Sequence, residues 1–562
     1  MSDPAVARGV RTAAVVWLCL AALAVAVAVL INARMAFPLG FSDEFTYAAL
    51  SSRFGQESTL VDNLLVVTVD APNRVFLALY GLLGSQPRPI FEMARAVNGV
   101  VLGLGIGVLF LAARAGRALG PALVVAIAYG LGPQSTYTAY FTPETLYVAL
   151  FFLQTTLAAL ALSREDARLA LLAGGSAAML SLVKPHGLPV GAVTLVFMAG
   201  YAALRGGSAA RSLWLGCLAY LAALAAARWM VGQALAPDVV VGNALTGSLY
   251  ARFAGDMATS LLDPGNYAAV GRLLIAHFAV AACLAGPALV AGVAQVPGQP
   301  RAQSESARFA AALSGLSAWL RVVLVVMTAV FTVAAGEINR LHVRYYGFCI
   351  PLLFVGLASC EAAGIWTRRQ QVLGLGAWLL GILFYELFAR DYLRSPFDAA
   401  EFFFRPWVVP GVPLAGALIA FLAYRRSSRA LLGAVLGTYL LMSVLAMVFD
   451  RQFQLRVREG AEHRAARIAV ALADQANVPM VIVAPEADRF GLPYVYRIAS
   501  FATHRADFFG VGGEAGDSAK RLAAGTVVIG KRESLAAIGV APMVEVAEFG
   551  VGRVAASGAA AD

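Results

Sequence analysis

The chain has 562 residues, of which 60% are hydrophobic and only 14% are charged, and its mean hydropathy is +0.74. Soluble globular proteins are about half apolar and a quarter charged, so this composition excludes an ordinary soluble enzyme and indicates a polytopic membrane protein. The net charge of +10 does not indicate a nucleic-acid partner. Most of it lies in short loops between apolar segments, where basic residues set membrane orientation.

Apolar runs of about 17–25 residues can cross a bilayer as helices, and thirteen such spans are predicted. They lie near 13–33, 90–113, 120–139, 143–162, 169–183, 188–204, 212–234, 269–295, 319–335, 346–366, 371–389, 408–424 and 429–449. The first could instead be a signal peptide, because "NARMA" loosely resembles a cleavage site. Its apolar run is longer than that of a typical signal, which favours an uncleaved span.

The loops give the expected orientation. The segments "ARGVR", "ARAGRALG", "SREDAR", "RGGSAAR", "RAQSESAR", "TRRQQ" and "YRRSSR" each contain at least two arginines and fall on one side. By the positive-inside rule this side is cytoplasmic. The opposite face then holds a long first loop, about 34–89, and everything after Asp450. In a Gram-negative bacterium this is the periplasmic side of the inner membrane.

Residues 451–562 differ in character from the apolar segments before them. "VPMVIVAP" and "GTVVIG" are typical of strands, and "EHRAARIAVALADQA" is typical of a helix. The predicted fold is therefore an α-helical polytopic membrane domain, 1–450, followed by a small α/β periplasmic domain, 451–562.

Two adjacent acids, Asp43 and Glu44, follow the first span in "FSDEF", between Phe41 and Tyr47. A polar loop would also contain such acids. However, carboxylates can act as a general base or bind a hard divalent cation, and other polar groups are predicted on the same face.

Two further segments bring ionisable groups to this outer face. In "TPETLYVALFFL", Glu144 begins an apolar helix, where it could simply stabilise the positive end of the helix dipole. In "SLVKPHGLPV", Lys184 and His186 lie at a Pro/Gly break between two apolar runs. Interfacial snorkelling of the lysine is one explanation, and an anion-binding or metal-binding site is the other.

The segment "GEINRLHVRYYGFCIPLLF" places Glu337, Arg340, His342 and Arg344 within eight residues, just before Tyr345 and a late span. An interfacial belt of tyrosine and arginine would look similar. A cationic cluster here could instead hold a phosphate at the level of the lipid headgroups. A carboxylate base together with a phosphate clamp suggests attack on a sugar carried by a lipid phosphate.

At these residues the chain resembles the GT-C superfamily of integral-membrane glycosyltransferases. The resembling motifs are "SDE", "TPE", "KPHGL" and "RLHVRYY…P", spread over about residues 13–450. Thirteen spans followed by an outer α/β domain are also similar to the architecture of bacterial oligosaccharyltransferases and the lipid A aminoarabinose transferase. The resemblance implies an inverting transfer from a polyprenyl-phosphate sugar, without direct use of a nucleotide sugar.

The resemblance also implies residue roles. Asp43 would be the catalytic base, and Glu44 would assist it or bind metal. The donor phosphate would be held by Lys184, Arg340 and Arg344, with His342 nearby. Contacts to acceptor or donor would come from Glu144, His186, Glu337 and Tyr345. A divalent cation, Mg or Mn, would lie on Asp43, Glu144 and His186. The second acidic motif has one acid here, not the family's pair, which weakens the expectation of a firmly bound metal.

The transferred sugar would be an arabinofuranose, another pentose or a hexose, and the acceptor a periplasmic glycan, lipid or protein. Two other functions remain open from the sequence. A transporter or lipid-linked-glycan flippase would show paired halves and mid-membrane charges. An O-antigen polymerase or ligase would use a diphosphate-linked donor and have a large outer loop late in the chain.

Overall fold

The computed structural model describes residues 73–82, 87–235, 247–295, 304–392, 408–485, 506–511 and 522–555, together with a few single positions before residue 52. Asp43 and Glu44 lie outside these described residues. So do most of the predicted first span and most of the first outer loop.

The membrane part of the described chain consists of helices. In chain order they are α1 Arg74–Gly81, α2 Pro87–Ala115, α3 Leu119–Leu131, α4 Glu144–Arg164, α5 Ala167–Val183, α6 Gly187–Leu204, α7 Gly207–Leu235, α8 Gly247–Leu262, α9 Tyr267–Val293, α10 Glu305–Ala334, α11 Ile350–Ala362, α12 Arg368–Phe384, α13 Val408–Tyr424 and α14 Ser428–Arg458.

Eight helical segments of the described chain are long and apolar enough to cross a membrane, and three shorter apolar helices accompany them. This confirms the predicted polytopic helical class, while the number of thirteen spans stays a prediction. One large hydrophobic core contains residues from each of the helices α1 to α7 and α9 to α14.

Two predicted spans differ from the structure. The span predicted near 319–335 is part of a longer helix, because α10 already begins at Glu305 after its Ser304 cap. The run near 120–139 is not a single helix, because α3 ends at Leu131 and a 3-10 helix covers Pro133–Ala139. Gly132 between them is extended, and a Cβ atom there would lie 2.1 Å from the Ala128 carbonyl oxygen. Pro133 has no N–H to continue the helix, so the chain turns at this point.

Local hydrogen bonds fix where several helices begin. Asp166 accepts from the backbone N–H of Arg168 at the start of α5, and Ser304 accepts from Ala307 at the start of α10. Thr367 forms a capping box with Gln370 at the start of α12. Such caps satisfy N–H groups that have no partner within the helix.

The arginine-rich loops predicted to be cytoplasmic lie beside one another. Arg164 Nε lies 2.7 Å from Glu305 Oε1, and Arg308 Nη1 lies 3.3 Å from Glu165 Oε1. These partly exposed pairs contribute little stability. They do place the C-terminal end of α4 and the N-terminal end of α10 at the same end of the helix bundle.

Helix α9 is kinked at Ala285, whose backbone angles are non-helical, shortly before Pro287. Pro287 cannot donate to the carbonyl of Cys283, which instead accepts from Trp378 Nε1 of α12 at 2.8 Å. The side chain of Trp378 therefore satisfies the carbonyl that the proline leaves open, and this joins α12 to α9.

The C-terminal part contains a five-stranded sheet. Helix α15 Ala461–Ala476 precedes β1 Met480–Pro485, β2 Ala506–Val511, β3 Val527–Lys531, α16 Arg532–Ala537, β4 Pro542–Val546 and β5 Phe549–Arg553. The strand order is β2-β1-β3-β5-β4, with β1 parallel to β2 and β3, and β5 antiparallel to β3 and β4.

The alternation of side chains in the strands explains the packing of this sheet. Val527 and Ile529 contribute to one hydrophobic cluster, together with the alanine face of α15. Val528 faces the opposite side, where it packs with Leu535 of α16. The prediction of a small α/β fold is confirmed.

Candidate functional site

The predicted outer ends of α4, α5 and α6 enclose a narrow cavity with the short segment before α11. Its volume is only about 10 Å³, so the lining side chains are nearly closed on one another. The lining residues are Gln134, Tyr137, Glu144, Tyr147, Val148, Lys184, His186, Arg344, Tyr345 and Phe348. Three of the four segments singled out in the sequence therefore meet at one place.

A buried ion pair forms one wall. Lys184 Nζ lies 2.7 Å from Glu144 Oε1, and both side chains are only 8% exposed. Glu144 is the first residue of α4, and Lys184 directly follows the last residue of α5. The second carboxylate oxygen of Glu144, Oε2, is buried and makes no hydrogen bond of good geometry with the described residues.

The ring of Tyr345 is the centre of the opposite wall. His186 stacks on it with ring centroids 4.5 Å apart and planes inclined by 13°. Lys184 Nζ lies 5.0 Å from the ring centre and the Arg344 guanidinium 4.9 Å from it. Arg344 Nη2 also donates to Tyr345 Oη at 2.9 Å. Cation–π contacts of this kind attract a cation to the ring face.

His186 is kept neutral in this environment. Burial, and after it the positive charges of Lys184 and Arg344, lower the pKa of His186 from 6.5 to about 3. Its Nδ1 is buried and makes no hydrogen bond with the described residues. At neutral pH the imidazole can therefore exchange hydrogen bonds with a ligand but adds no charge.

A second polar group, formed by Glu337, Arg340 and His342, lies beside the residues that line the cavity. Glu337 contacts Arg340 Nη1 at 3.0 Å and His342 Nε2 at 2.5 Å. The His342 ring lies 5.6 Å from the Tyr345 ring. Arg340 and Glu337 are each 37% exposed, whereas the His342 side chain is only 2% exposed. Arg340 does not line the cavity but borders it through this chain of contacts.

The charges in the cavity favour an anion. Lys184 and Arg344 both lie near the carboxylate of Glu144, and His186 is neutral. Two cations and one carboxylate leave an excess of one positive charge at the wall. A low-dielectric boundary strengthens its attraction for a phosphate.

The described residues do not fit the predicted metal site. No three His, Cys, Asp or Glu side chains in the described ranges lie close enough together to hold an ion. One oxygen of Glu144 is occupied by Lys184, and Arg344 adds a second positive charge nearby. These charges repel a divalent cation. Asp43, the third predicted ligand, lies outside the described part of the chain.

Five lining residues were not predicted from the sequence, and one of them is the apolar Val148. Gln134 and Tyr137 come from the 3-10 helix Pro133–Ala139, and Tyr147 and Phe348 form an edge-to-face pair with ring centroids 5.1 Å apart. The proline after Gly132 was the available signal for the 3-10 helix. The apolar pattern around it favoured a continuous span instead.

Similar proteins are found by fold. No protein-family model matches the chain, and no curated protein matches it in sequence. Among solved structures, it is similar to ArnT from Cupriavidus metallidurans bound to undecaprenyl phosphate, with 16% identity over 99% of both chains and a TM-score of 0.48. The apo state of that protein gives 16% identity over 98% of both chains and a TM-score of 0.47.

An Archaeoglobus fulgidus oligosaccharyltransferase in complex with Zn and sulfate is also similar, at 11% identity and a TM-score of 0.33. The similarity covers 90% of this chain and 68% of that one. At such identities and TM-scores the likeness assigns no role to any residue.

Proposed function

We propose that the protein is an inverting membrane glycosyltransferase that transfers one sugar from a polyprenyl-phosphate donor to a periplasmic acceptor. The observation that supports it most directly is the cavity in which Lys184, Arg344 and Tyr345 create a buried, positively charged wall at the end of three membrane helices. A lipid-linked phosphate offers a single compact negative charge at this depth.

The chemistry follows from the charges. An acceptor hydroxyl oxygen attacks the anomeric carbon, and the bond between that carbon and the phosphate oxygen breaks. The electron pair leaves with the phosphate, which gains a negative charge, while the hydroxyl proton passes to the carboxylate of Asp43. Lys184 and Arg344 stabilise the charge that develops on the leaving phosphate.

The other residues are assigned supporting roles. Arg340 would extend the positive surface towards the solvent-exposed side, and Glu337 contacts both Arg340 and His342. His342 would lie near the donor phosphate. His186 and Tyr345 would contact the sugar or its phosphate with a flat, mainly apolar surface. Glu44 would assist Asp43. A pentose such as arabinofuranose, or a hexose, is the proposed sugar, and a glycan, a lipid or a protein is the acceptor.

The base is tested by Asp43→Asn in the full-length protein. General-base catalysis typically contributes on the order of 10²–10⁴-fold, so we expect the rate of sugar transfer to fall by that factor while lipid-phosphate binding is retained.

Mass spectrometry of surface glycans, lipids and glycoproteins from cells with and without the protein identifies the product. No sugar difference between those cells would favour the transporter function instead.

The phosphate clamp is tested by Arg344→Ala. A charge-assisted hydrogen bond is worth about 1.5–3 kcal/mol, so affinity for undecaprenyl phosphate should fall roughly 10–100-fold. Binding of the uncharged alcohol undecaprenol is the control and should not change. Unaltered phosphate affinity in Arg344→Ala would remove the clamp from the proposal.

A further inference from the structure

Another polar cluster, formed by Arg321, His277 and Tyr346, is buried among the apolar helices. Arg321 is near the middle of α10, His277 belongs to α9, and Tyr346 precedes α11. All three side chains are fully buried. Ionisable groups within membrane spans are costly and usually have a function.

The contacts converge on Tyr346. His277 Nδ1 lies 2.9 Å from Tyr346 Oη, and the two rings meet edge to face at 5.4 Å. The Arg321 guanidinium lies 5.7 Å from the centre of the Tyr346 ring. The tyrosine is thus held at its hydroxyl by one helix and at its ring face by another.

Arg321 is in turn fixed by the kink of α9. Its Nη2 donates to the Ala281 carbonyl at 3.4 Å. In a regular helix that carbonyl would accept from residue 285, but Ala285 has non-helical backbone angles. The kink therefore supplies an acceptor for the arginine within the helix bundle.

Tyr346 connects this cluster to the phosphate site. It lies between two short 3-10 turns, Val343–Tyr345 and Gly347–Cys349. Its two preceding residues, Arg344 and Tyr345, line the cavity. Because the hydrogen bonds of a 3-10 turn have poor geometry, the buried side chain of Tyr346 provides a further anchor for the segment that contains Arg344 and Tyr345.

We propose that Arg321 and His277 are positioning residues, which hold Tyr346 and thereby orient Arg344 and Tyr345 towards the lipid phosphate. The inference rests on the proposed function, since it assumes that the cavity binds a phosphate. Neither residue touches the substrate. Their effect is transmitted through the backbone of residues 344–346.

The test uses Tyr346→Phe in the purified full-length protein in lipid nanodiscs, with undecaprenyl phosphate and undecaprenol as probes. Losing the hydroxyl breaks the contact with His277, and one hydrogen bond corresponds to a roughly 3–10-fold change in affinity. We expect that loss for the phosphate and none for the alcohol. A purely structural role would weaken both probes equally.

Tyr220→Phe is the matched control. Tyr220 is also fully buried, and its hydroxyl accepts from Gln154 and donates to the Gly191 carbonyl, both at 3.2 Å. It lies on α7, and the partners of its hydroxyl lie on α4 and α6. The variant Tyr220→Phe should lower the thermal midpoint about as much as Tyr346→Phe does, but it should not change the preference for undecaprenyl phosphate over undecaprenol.

Two further variants test the link between the residues. His277→Leu should weaken phosphate binding by a similar factor, and combining it with Tyr346→Phe should add little, because both variants remove the same hydrogen bond. Arg321→Lys should retain more phosphate selectivity than Arg321→Met, since a cation over the ring is kept.

The outcomes separate the inference from the proposed function. If Arg344→Ala weakens phosphate binding while Tyr346→Phe and His277→Leu leave it at the wild-type level, the positioning role is wrong and the phosphate site stands. If Arg344→Ala itself has no effect on phosphate binding, the phosphate site and the inference both fail.

Discussion

Glu144 and Lys184 show how one buried contact can have both a structural and a chemical consequence. The pair is almost fully desolvated, and desolvation of two ions costs several kcal/mol before their attraction offsets it. Each charge is therefore tolerated only in the presence of the other. The pair also leaves the ammonium of Lys184 close to the Tyr345 ring, where a phosphate can reach it.

Removing one charge of this pair should destabilise the protein. Lys184→Met leaves the carboxylate of Glu144 buried without its lysine, and such an uncompensated charge costs about 3–5 kcal/mol. We expect a clearly lower thermal midpoint in detergent in the absence of ligand. The double variant Lys184→Met, Glu144→Gln should recover most of the loss, because it removes both charges. A double variant less stable than Lys184→Met would contradict the pairing.

The low pKa of His186 gives a prediction about pH. The imidazole stays neutral down to about pH 3, whereas a phosphate monoester gains its second negative charge with a pKa of about 6. Binding of undecaprenyl phosphate should therefore strengthen between pH 5.5 and 7.5, approximate limits set by that ligand pKa. His186→Gln should show the same pH dependence.

The direction in which binding changes with pH distinguishes a neutral His186 from a protonated one. If His186 bound the ligand as a cation, it would lose its charge above its ordinary pKa of 6.5, and binding would weaken as the pH rises.

The lowered pKa of His186 also makes this group destabilising to the folded protein in acid. The unfolded chain takes up a proton at His186 below pH 6.5 that the folded protein does not take up until about pH 3. The stability contribution is complete above pH 6.5 and decreases as the pH falls.

At the scale of elements, the kink of α9 supports the site from a distance. Pro287 and Ala285 interrupt the helix, and residues of α10 and α12 donate to the carbonyls of Ala281 and Cys283. The close approach of α12 depends on glycine, since a Cβ atom at Gly381 would lie 2.6 Å from the Cys283 nitrogen. The three helices are thus joined by main-chain acceptors, which lipid could not satisfy.

Trp378→Phe should destabilise this junction. The variant leaves the Cys283 carbonyl buried without its indole donor, which costs about 1–3 kcal/mol. Trp366→Phe is a suitable control, because the Trp366 Nε1 is buried and makes no hydrogen bond with the described residues. The thermal midpoint should fall more for Trp378→Phe. If the thermal midpoint fell equally in both variants, the loss of ring volume alone would explain the effect.

The elements also show what the sequence could predict. The apolar runs predicted α4 to α7 closely, and Glu144 and Lys184 lie at the helix ends where Pro143 and Pro185 indicated them. The 3-10 segment with Gln134 and Tyr137 was missed, because a Gly-Pro step within an apolar run resembles a kinked span. The stacking of His186 on Tyr345 depends on the packing of distant helices, which periodicity does not encode.

At the scale of the molecule, the contact between Arg164 and Glu305 places two of the arginine-rich segments, "SREDAR" and "RAQSESAR", at one end of the bundle. Which end faces the cytoplasm is a prediction from the positive-inside rule. If it is correct, the cavity with Lys184 and Arg344 opens to the periplasmic side, where a polyprenyl-phosphate sugar would be used.

Cysteine labelling in intact cells tests this orientation. In a Cys19→Ser background the native cysteines that remain are buried. A membrane-impermeant maleimide should label Leu262→Cys, at an exposed position predicted to be outside, and should not label Ser208→Cys in the "RGGSAAR" loop. Labelling of Ser208→Cys alone would place the cavity on the cytoplasmic side.

The separation of the site residues along the chain has a consequence for biosynthesis. Glu144 and Lys184 are 40 residues apart, so they can meet while the ribosome is still making the later helices. Entering the bilayer as a pair spares each of them the cost of an isolated charge. Arg344 and Tyr345 are made much later. The nascent chain therefore acquires a stable pair of helices first, and its anion site only when the second half of the membrane domain has inserted.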